Sequence, residues 1–228
     1  ADDGFYFDGP GADDYFEAVD QSEANLLRFG CYNDGTNGAT TTARAQAAID
    51  TGVAVRAPSG TYGITEQLTI STNGQRFYGD GGATVFVPTI DDGTYVFLMQ
   101  TGVYQSIENL RIAPSTAGLN CGGIKCTTTK FRIRDVDIVM GLTTFSEAPG
   151  IFLSAAFIAD VQAYVRGAAI GLKCTGGGGN DTNFNMHIEN CGKPFELTSV
   201  GGARFDVMYE STVATTTTGT IDACEGVT

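Results

Sequence analysis

The sequence has no tryptophan, one histidine (His187) and six prolines, and only 17% of its residues are charged. With one histidine, far from any close cysteine pair, and no Cys-x-x-Cys spacing among six cysteines, no metal site is expected, while disulfides stay open. Basic residues are also scarce: Lys and Arg total 13 against 26 acidic residues, a net charge of −13. Phosphate backbones and anionic bilayers need clustered cations, so nucleic acid and membrane are excluded as partners. No apolar run approaches the roughly 18 residues that a bilayer span requires.

What the chain does have is glycine (31 of 228 residues), threonine and β-branched residues, with a hydrophobic fraction of 42%. That is enough apolar surface for a packed core. The composition points to many short strands joined by tight turns, an all-β fold.

One stretch breaks this pattern. Asn33-Asp34-Gly35-Thr36-Asn37-Gly38 runs into a short alanine-rich helix beginning near Thr41. Thr40, Thr41 or Thr42 can supply the N-cap oxygen, and Gly52 can close the C-terminus. Ala45, Ala48 and Ile49 share one face, which must pack on something because so short a helix is marginal alone. A glycine-rich loop feeding a helix could hold a ligand, but no Gly-Lys-Ser/Thr follows, so it is not a phosphate loop. Counted as a calcium loop from Asn33, the position that needs a bidentate glutamate holds Arg44. No cofactor and no metal are expected.

Downstream the chain repeats. Asn or Asp recurs at Asn109, Asp135, Asp160, Asn185 and Asp206, in steps of 26, 25, 25 and 21 residues, each within a short alternating segment. A second apolar pair lies between copies: Ile124/Cys126, Ile151/Leu153, Ile170/Leu172, Phe195/Leu197 and Ile221/Ala223. Strands at this period with no helix between them stack as coils of a parallel solenoid. The recurrent Asn/Asp then marks a turn. The register places Cys126 and Cys174 inward, favouring core thiols over disulfides.

The residues that open this region resemble a known family. Phe29-Gly30, Asn33-Asp34-Gly35, Thr42 with Ala45-Gln46-Ala47-Ala48-Ile49, then Val55-Arg56-Ala57-Pro58-Ser59-Gly60-Thr61-Tyr62 and Gly79-Asp80-Gly81 resemble the start of the pectate-lyase-like fold. Bacteriophage tailspikes and related polysaccharide-degrading enzymes share this form of it. The specific part covers residues 29–87; Thr41 stands where the family often has an acidic residue. The resemblance implies a right-handed parallel β-helix, here with about seven coils and a short capping α-helix across its N-terminal end, commonly assembled as a homotrimer on a virion. The domain organisation follows: residues 1–28 as an acidic, aromatic-rich arm, 29–52 as loop and capping helix, and 53–228 as the solenoid.

Residues 1–20 carry six Asp, one Glu and five aromatics with no Lys or Arg. They read as an arm that docks onto other virion proteins or pairs with the body of the chain. Glycan-cutting members of the family use paired carboxylates on the solenoid's flank, which adjacent coils about 4.8 Å apart can supply. Counting outward from the repeated Asn/Asp, Glu189 and Glu210 become coil-to-coil neighbours, with His187 on the same face and Tyr164 one coil away. These four are the candidate glycan-binding residues, Glu189 and Glu210 doubling as catalytic candidates. Two close carboxylates would push one pKa upward, as a general acid requires. Arg111 above Asp137 reads as a cross-coil ion pair. The room for about seven coils is short for a depolymerase. A virion structural component on tail or capsid surface, contacting host polysaccharide, therefore ranks above a glycosidase or lyase, and a capsid-decorating protein is a further alternative.

Overall fold

The computed structural model describes residues 22–115, 119–140, 148–211 and 219–222. The acidic arm, residues 1–20, lies outside these residues, as does Cys224. The first elements are β1 (Glu23–Asn25), α1 (Gly38–Asp50), β2 (Ala54–Ala57), β3 (Gly60–Ile64), β4 (Leu68–Ile70), β5 (Arg76–Gly79), β6 (Thr84–Pro88) and β7 (Tyr95–Met99). From there each circuit holds two strands: β8 (Ser106–Ile112) and β9 (Gly122–Cys126), β10 (Arg132–Val139) and β11 (Ile151–Ser154), β12 (Asp160–Arg166) and β13 (Ile170–Thr175). The last two are β14 (Asn183–Glu189) with β15 (Lys193–Thr198), and β16 (Arg204–Glu210) with β17 (Thr220–Asp222).

All named strand pairings are parallel. The larger sheet runs β1-β2-β5-β8-β10-β12-β14-β16 with β3 and β6 beside it, and the smaller, of 7 strands, runs β4-β7-β9-β11-β13-β15-β17. Each strand thus pairs with its counterpart one circuit on, which makes a parallel β-helix. The coil count agrees with the spacing of the repeat.

Alternation drives the packing. Along β12, Val161, Ala163 and Val165 are buried while the residues between them face outward. Inward residues stack into columns, such as Ile124, Ile151, Leu172 and Phe195, or Cys126, Leu153, Cys174 and Leu197 in register. Two of the expected apolar pairs therefore shift by two residues: Leu172/Cys174 replaces Ile170/Leu172, and the backbone register sets Ile221 opposite Leu197 instead of Phe195. Near the N-terminal end the core turns aromatic. Phe86 stacks on Tyr62 at 5.3 Å and meets Phe97 edge-on at 5.2 Å, and the Tyr62 hydroxyl donates to the Pro58 carbonyl at 2.8 Å. Each such fully buried ring contributes on the order of 1.5–3 kcal/mol. The five cysteines among the described residues are buried and form no disulfide.

The helix begins earlier than its threonines indicate. Asn37, left-handed at φ 49°, precedes it and makes no side-chain cap. The threonine hydroxyls serve tertiary contacts instead: Thr41 Oγ1 accepts from Tyr32 N (3.2 Å), and Thr42 Oγ1 accepts from Thr65 N (2.9 Å) while donating to Gly38 O (2.7 Å). Gly52, at φ 76°, closes the other end, its N–H donating to Ile49 O at 3.0 Å. Ala45, Ala48 and Ile49 are buried against the first coil.

Every edge of that first coil is covered. Residues of β1 pair with β2. Asn33 O accepts from Thr61 N and Thr61 O from Gly35 N, both at 2.7 Å, along β3. Against β4 the Gln46 amide imitates a strand: Oε1 accepts from Thr69 N (2.8 Å) and Nε2 donates to Thr69 O (3.0 Å). Left open, such backbone edges would invite pairing with other chains.

The recurrent Asn/Asp plays two roles. Asn109 and Asp135 are left-handed, at φ 54° and 52°, and stacked in register as a bulge within their strands. Asp160, Asn185 and Asp206 lie in regular strand. Because β12 has no matching bulge, the β10–β12 register shifts between Ile133 and Val136.

Candidate functional site

The outward faces of β10, β12, β14 and β16 carry two rows set by this register. One reads Asp137, Tyr164, His187, Met208 and the other Val139, Arg166, Glu189, Glu210. Glu189 and Glu210 are thus coil-to-coil neighbours, as the repeat indicates. Tyr164 sits beside His187, and Arg166 beside Glu189, where the repeat places Tyr164. The slip is two residues, because Asp160 aligns with Asn183 and not with Asn185. An even slip leaves every side chain on its own face, so the four candidates still meet.

Contacts join them into one cluster. The Tyr164 hydroxyl donates to Glu189 Oε2. Glu189 Oε1 lies 3.3 Å from Arg166 Nε and accepts from Asn190 Nδ2 at 3.0 Å. The Tyr164 and His187 rings meet edge-on, 5.2 Å between centroids. His187 Nε2 stands 3.7 Å from Glu210 Oε2. Glu189 is thus held on both oxygens, whereas the Glu210 side chain is 57% exposed and among the described residues meets His187 alone. Burial, with the carboxylate of Glu189 beside it, pushes the Tyr164 phenol up to about 12, so it remains a donor throughout the physiological range.

Glu189 is therefore built to orient neighbours and accept bonds. A free proton shuttle would need an uncommitted oxygen. A shallow cleft of about 230 Å3 adjoins the cluster, lined by Asp135, Asp137, Gln162, Tyr164, Asn185 and His187. Burial raises the Asp137 pKa; the Arg111 charge opposes this and the like charge of Asp135 adds to it. Arg111 and Asp137 are partners in the β8–β10 register, but their side chains form no ion pair within 4.0 Å, and burial outweighs the Arg111 charge on the acid. Arg166, Asn190 and the cleft role of Asp137 escaped the sequence reading. Arg166 was legible in principle, two residues beyond Tyr164 and so on its face.

With this geometry in hand, comparison with known proteins bears on the fold. No protein-family profile and no curated protein sequence matches the chain. Solved structures do. The enzymatically active domain of tailspike protein 2 from bacteriophage CBA120 superposes with a TM-score of 0.70 at 16% identity, over 86% of this chain and 31% of that one. The ORF18 protein of Geobacillus virus E2 gives 0.57 at 21% identity, over 89% of this chain and 41% of that one. The mannuronan C-5 epimerase AlgE6 A-module of Azotobacter vinelandii gives 0.58 at 13% identity, over 90% and 72%. The chain has the parallel β-helix fold of these proteins. It spans less than half the length of these two viral chains.

Proposed function

We propose that this chain is a virion-associated β-helix protein, of a tailspike or appendage, that contacts host-surface glycan through the outward face of β12, β14 and β16. One observation carries the reading: Tyr164, His187, Glu189 and Glu210 converge from three successive coils into a single polar cluster beside a cleft. A hydroxyl, an imidazole edge, a held carboxylate and an exposed one match the alternating donors and acceptors of a sugar chain. The fold shared with phage tailspikes supports placing the chain on a particle. In this reading the chain works as a homotrimer, and residues 1–20 attach it to other virion proteins.

A second reading, polysaccharide depolymerase, is favoured by Asp137. A carboxyl that holds its proton more tightly than usual, lining a cleft beside Asp135, is what a general acid needs. In that case Asp137, with Glu189 already engaged, is the residue whose change to Asn abolishes cleavage.

The test has two arms. Antibody against the chain applied to purified particles should label the tail or the capsid surface, and unlabelled particles overturn the virion assignment. On an array of bacterial surface glycans, Tyr164→Phe and His187→Ala should each weaken binding about tenfold, the scale of one or two lost hydrogen bonds. Light scattering on the eluting protein should give a trimer.

A further inference from the structure

The outer face of the smaller sheet carries a charge opposite to that of the chain. Of the four lysines in the sequence, three lie on it: Lys125, Lys173 and Lys193. Strands β4, β7, β9, β11, β13 and β15 hold a single carboxylate, Glu196, in a chain whose net charge is −13. The register lines the face up as a stripe. Leu98, Lys125, Phe152, Lys173 and Glu196 are partners across successive coils. Strand alternation turns all five outward and leaves them half-buried, while Phe97, Ile124, Leu153 and Leu172 beside them are buried.

Rings hold these lysines more than acids do. Phe152 stands between two of them, with Lys125 Nζ 5.4 Å and Lys173 Nζ 6.0 Å from its centroid. Lys125 Nζ is also 5.9 Å from the centre of the Tyr95 ring, which itself lies 6.2 Å from Phe152. A cation over an aromatic face is attracted to it but keeps its full charge. Lys173 and Lys193 share Glu196, at 2.7 and 3.1 Å, and the bond from Lys173 is the main cause that holds this carboxyl below its usual range. Lys125 has no carboxylate within ion-pair distance among the described residues. Lys125 and Lys173 thus stand two coils apart with a phenyl ring, and no anion, between them.

We infer that the stripe from Leu98 to Glu196 is the docking surface for the acidic, aromatic arm of the same chain, residues 1–20. The inference goes beyond the glycan reading and does not depend on it. Composition, spacing and reach choose this occupant. The arm carries six Asp and one Glu, with Phe5, Tyr6, Phe7, Tyr15 and Phe16 among them and no Lys or Arg; the stripe sets lysines among Leu98, Tyr95 and Phe152. Asp14 and Glu17 are three residues apart, about 10 Å along an extended chain, and Lys125 and Lys173 are two coil steps apart, also about 10 Å. Tyr15 and Phe16 then fall over Phe152. The arm leads into β1, which pairs with β2 on the first coil. Twenty residues reach at most roughly 65 Å, against about 24 Å for the five coil steps from β4 to β15 and about 10 Å across the core. Such a tether sets an effective concentration on the order of millimolar at the stripe. Attachment to other virion proteins, proposed above for the same arm, then requires its release.

The experiment is carbodiimide coupling of the full, unaltered chain, which forms an amide between a lysine and a carboxylate in contact with it, read by peptide mass mapping. The Lys173–Glu196 pair, at 2.7 Å, is the internal control. Lys125 should couple to an acid among residues 1–20, in chains that still run as monomers under denaturing conditions, and about 1 M salt should suppress the product. Lys125 left uncoupled overturns the inference, and so do dimer-sized products, which would place the arm on a second copy. Chymotrypsin cleavage after the arm's aromatics gives a second readout, because it follows the population of released arm. Lys125→Gln combined with Lys173→Gln should speed it about three- to tenfold, the scale of two exposed ion pairs, with the urea midpoint unchanged. Cleavage at the parent's rate overturns the inference. An added acidic polysaccharide that protects Lys125 from acetylation, in a chain whose Lys125 stays uncoupled without it, gives the stripe to a free ligand and overturns the inference too.

Discussion

Gln46→Leu isolates what the helix does for the solenoid's end. Leucine keeps the helix propensity and nearly the volume of glutamine, so the change removes the amide and little else. Two bonds to the Thr69 backbone disappear, at 2.8 and 3.0 Å, and a third to Asp50 Oδ1 at 2.8 Å on the exposed side of the helix. A neutral hydrogen bond is worth about 1 kcal/mol net, and the exposed Asp50 contact less, so the expected loss is about 2 kcal/mol. In a chain of this size that amounts to roughly 4–8 °C of melting temperature. Thr69 N–H and C=O would also stand bare at the end of the 7-strand sheet, so the variant should self-associate at concentrations where the parent does not. Urea unfolding measures the first effect and concentration-dependent light scattering the second. A variant within about 0.5 kcal/mol of the parent, with unchanged scattering, would refute the claim that Gln46 closes the β4 edge.

Ile49→Asp places a carboxylate in the buried helix face and should yield aggregated or unfolded protein, whereas Ile49→Val should fold and bind as the parent does; soluble, native Ile49→Asp protein would show that the helix is dispensable. Burial holds the thiols of Cys31 and Cys121 up at about 12 and that of Cys191 at about 11. At pH 8 a disulfide reagent should therefore leave them unmodified until urea unfolds the chain. The Asp137 pKa is raised on folding, so its contribution to stability is complete below the unfolded value and lost as pH rises through the folded one. Asp137→Asn should accordingly raise the urea midpoint at neutral pH, with the gap closing in acid; a lower midpoint at pH 7 would mean that Arg111 outweighs desolvation.

The parallel coils and the capping helix were legible because each follows from a period. Alternation recovers which way a side chain faces, and that survives any even error of register, which is why the Tyr164, His187, Glu189 and Glu210 cluster emerged although Tyr164 was placed two residues off. The bulge at Asp135 was not legible, because a left-handed aspartate and a regular one read alike in sequence. Nor were the edge contacts of Thr41, Thr42 and Gln46, whose partners lie in other elements and override local capping rules. One corner of the solenoid escaped for a third reason. Tyr104, Lys130, Ile158 and Asp181, left-handed in successive coils, share a backbone state and no chemistry, so no comparison of residue types aligns them.

Parallel register also constrains charge. Equivalent residues of successive coils stand about 4.8 Å apart, so a repeated charge would stack on itself unless its sign alternates. Alternation is what the outward rows show: Arg166 pairs with Glu189 (3.3 Å), Lys173 with Glu196 (2.7 Å), Arg76 with Glu108 (2.8 Å) and Arg56 with Asp80 (3.3 Å), each across one coil. Exposed pairs of this kind add little stability, but they prevent the repulsion that a uniform row would carry. Departures from the rule then become informative, since the solenoid gains nothing from them. Glu189 beside Glu210 is one, with His187 placed against the second carboxylate. Arg132 and Arg134 about the one carboxylate of Asp160 are another, with Lys130 left to a tyrosine. Both departures lie on the larger sheet and border a cleft.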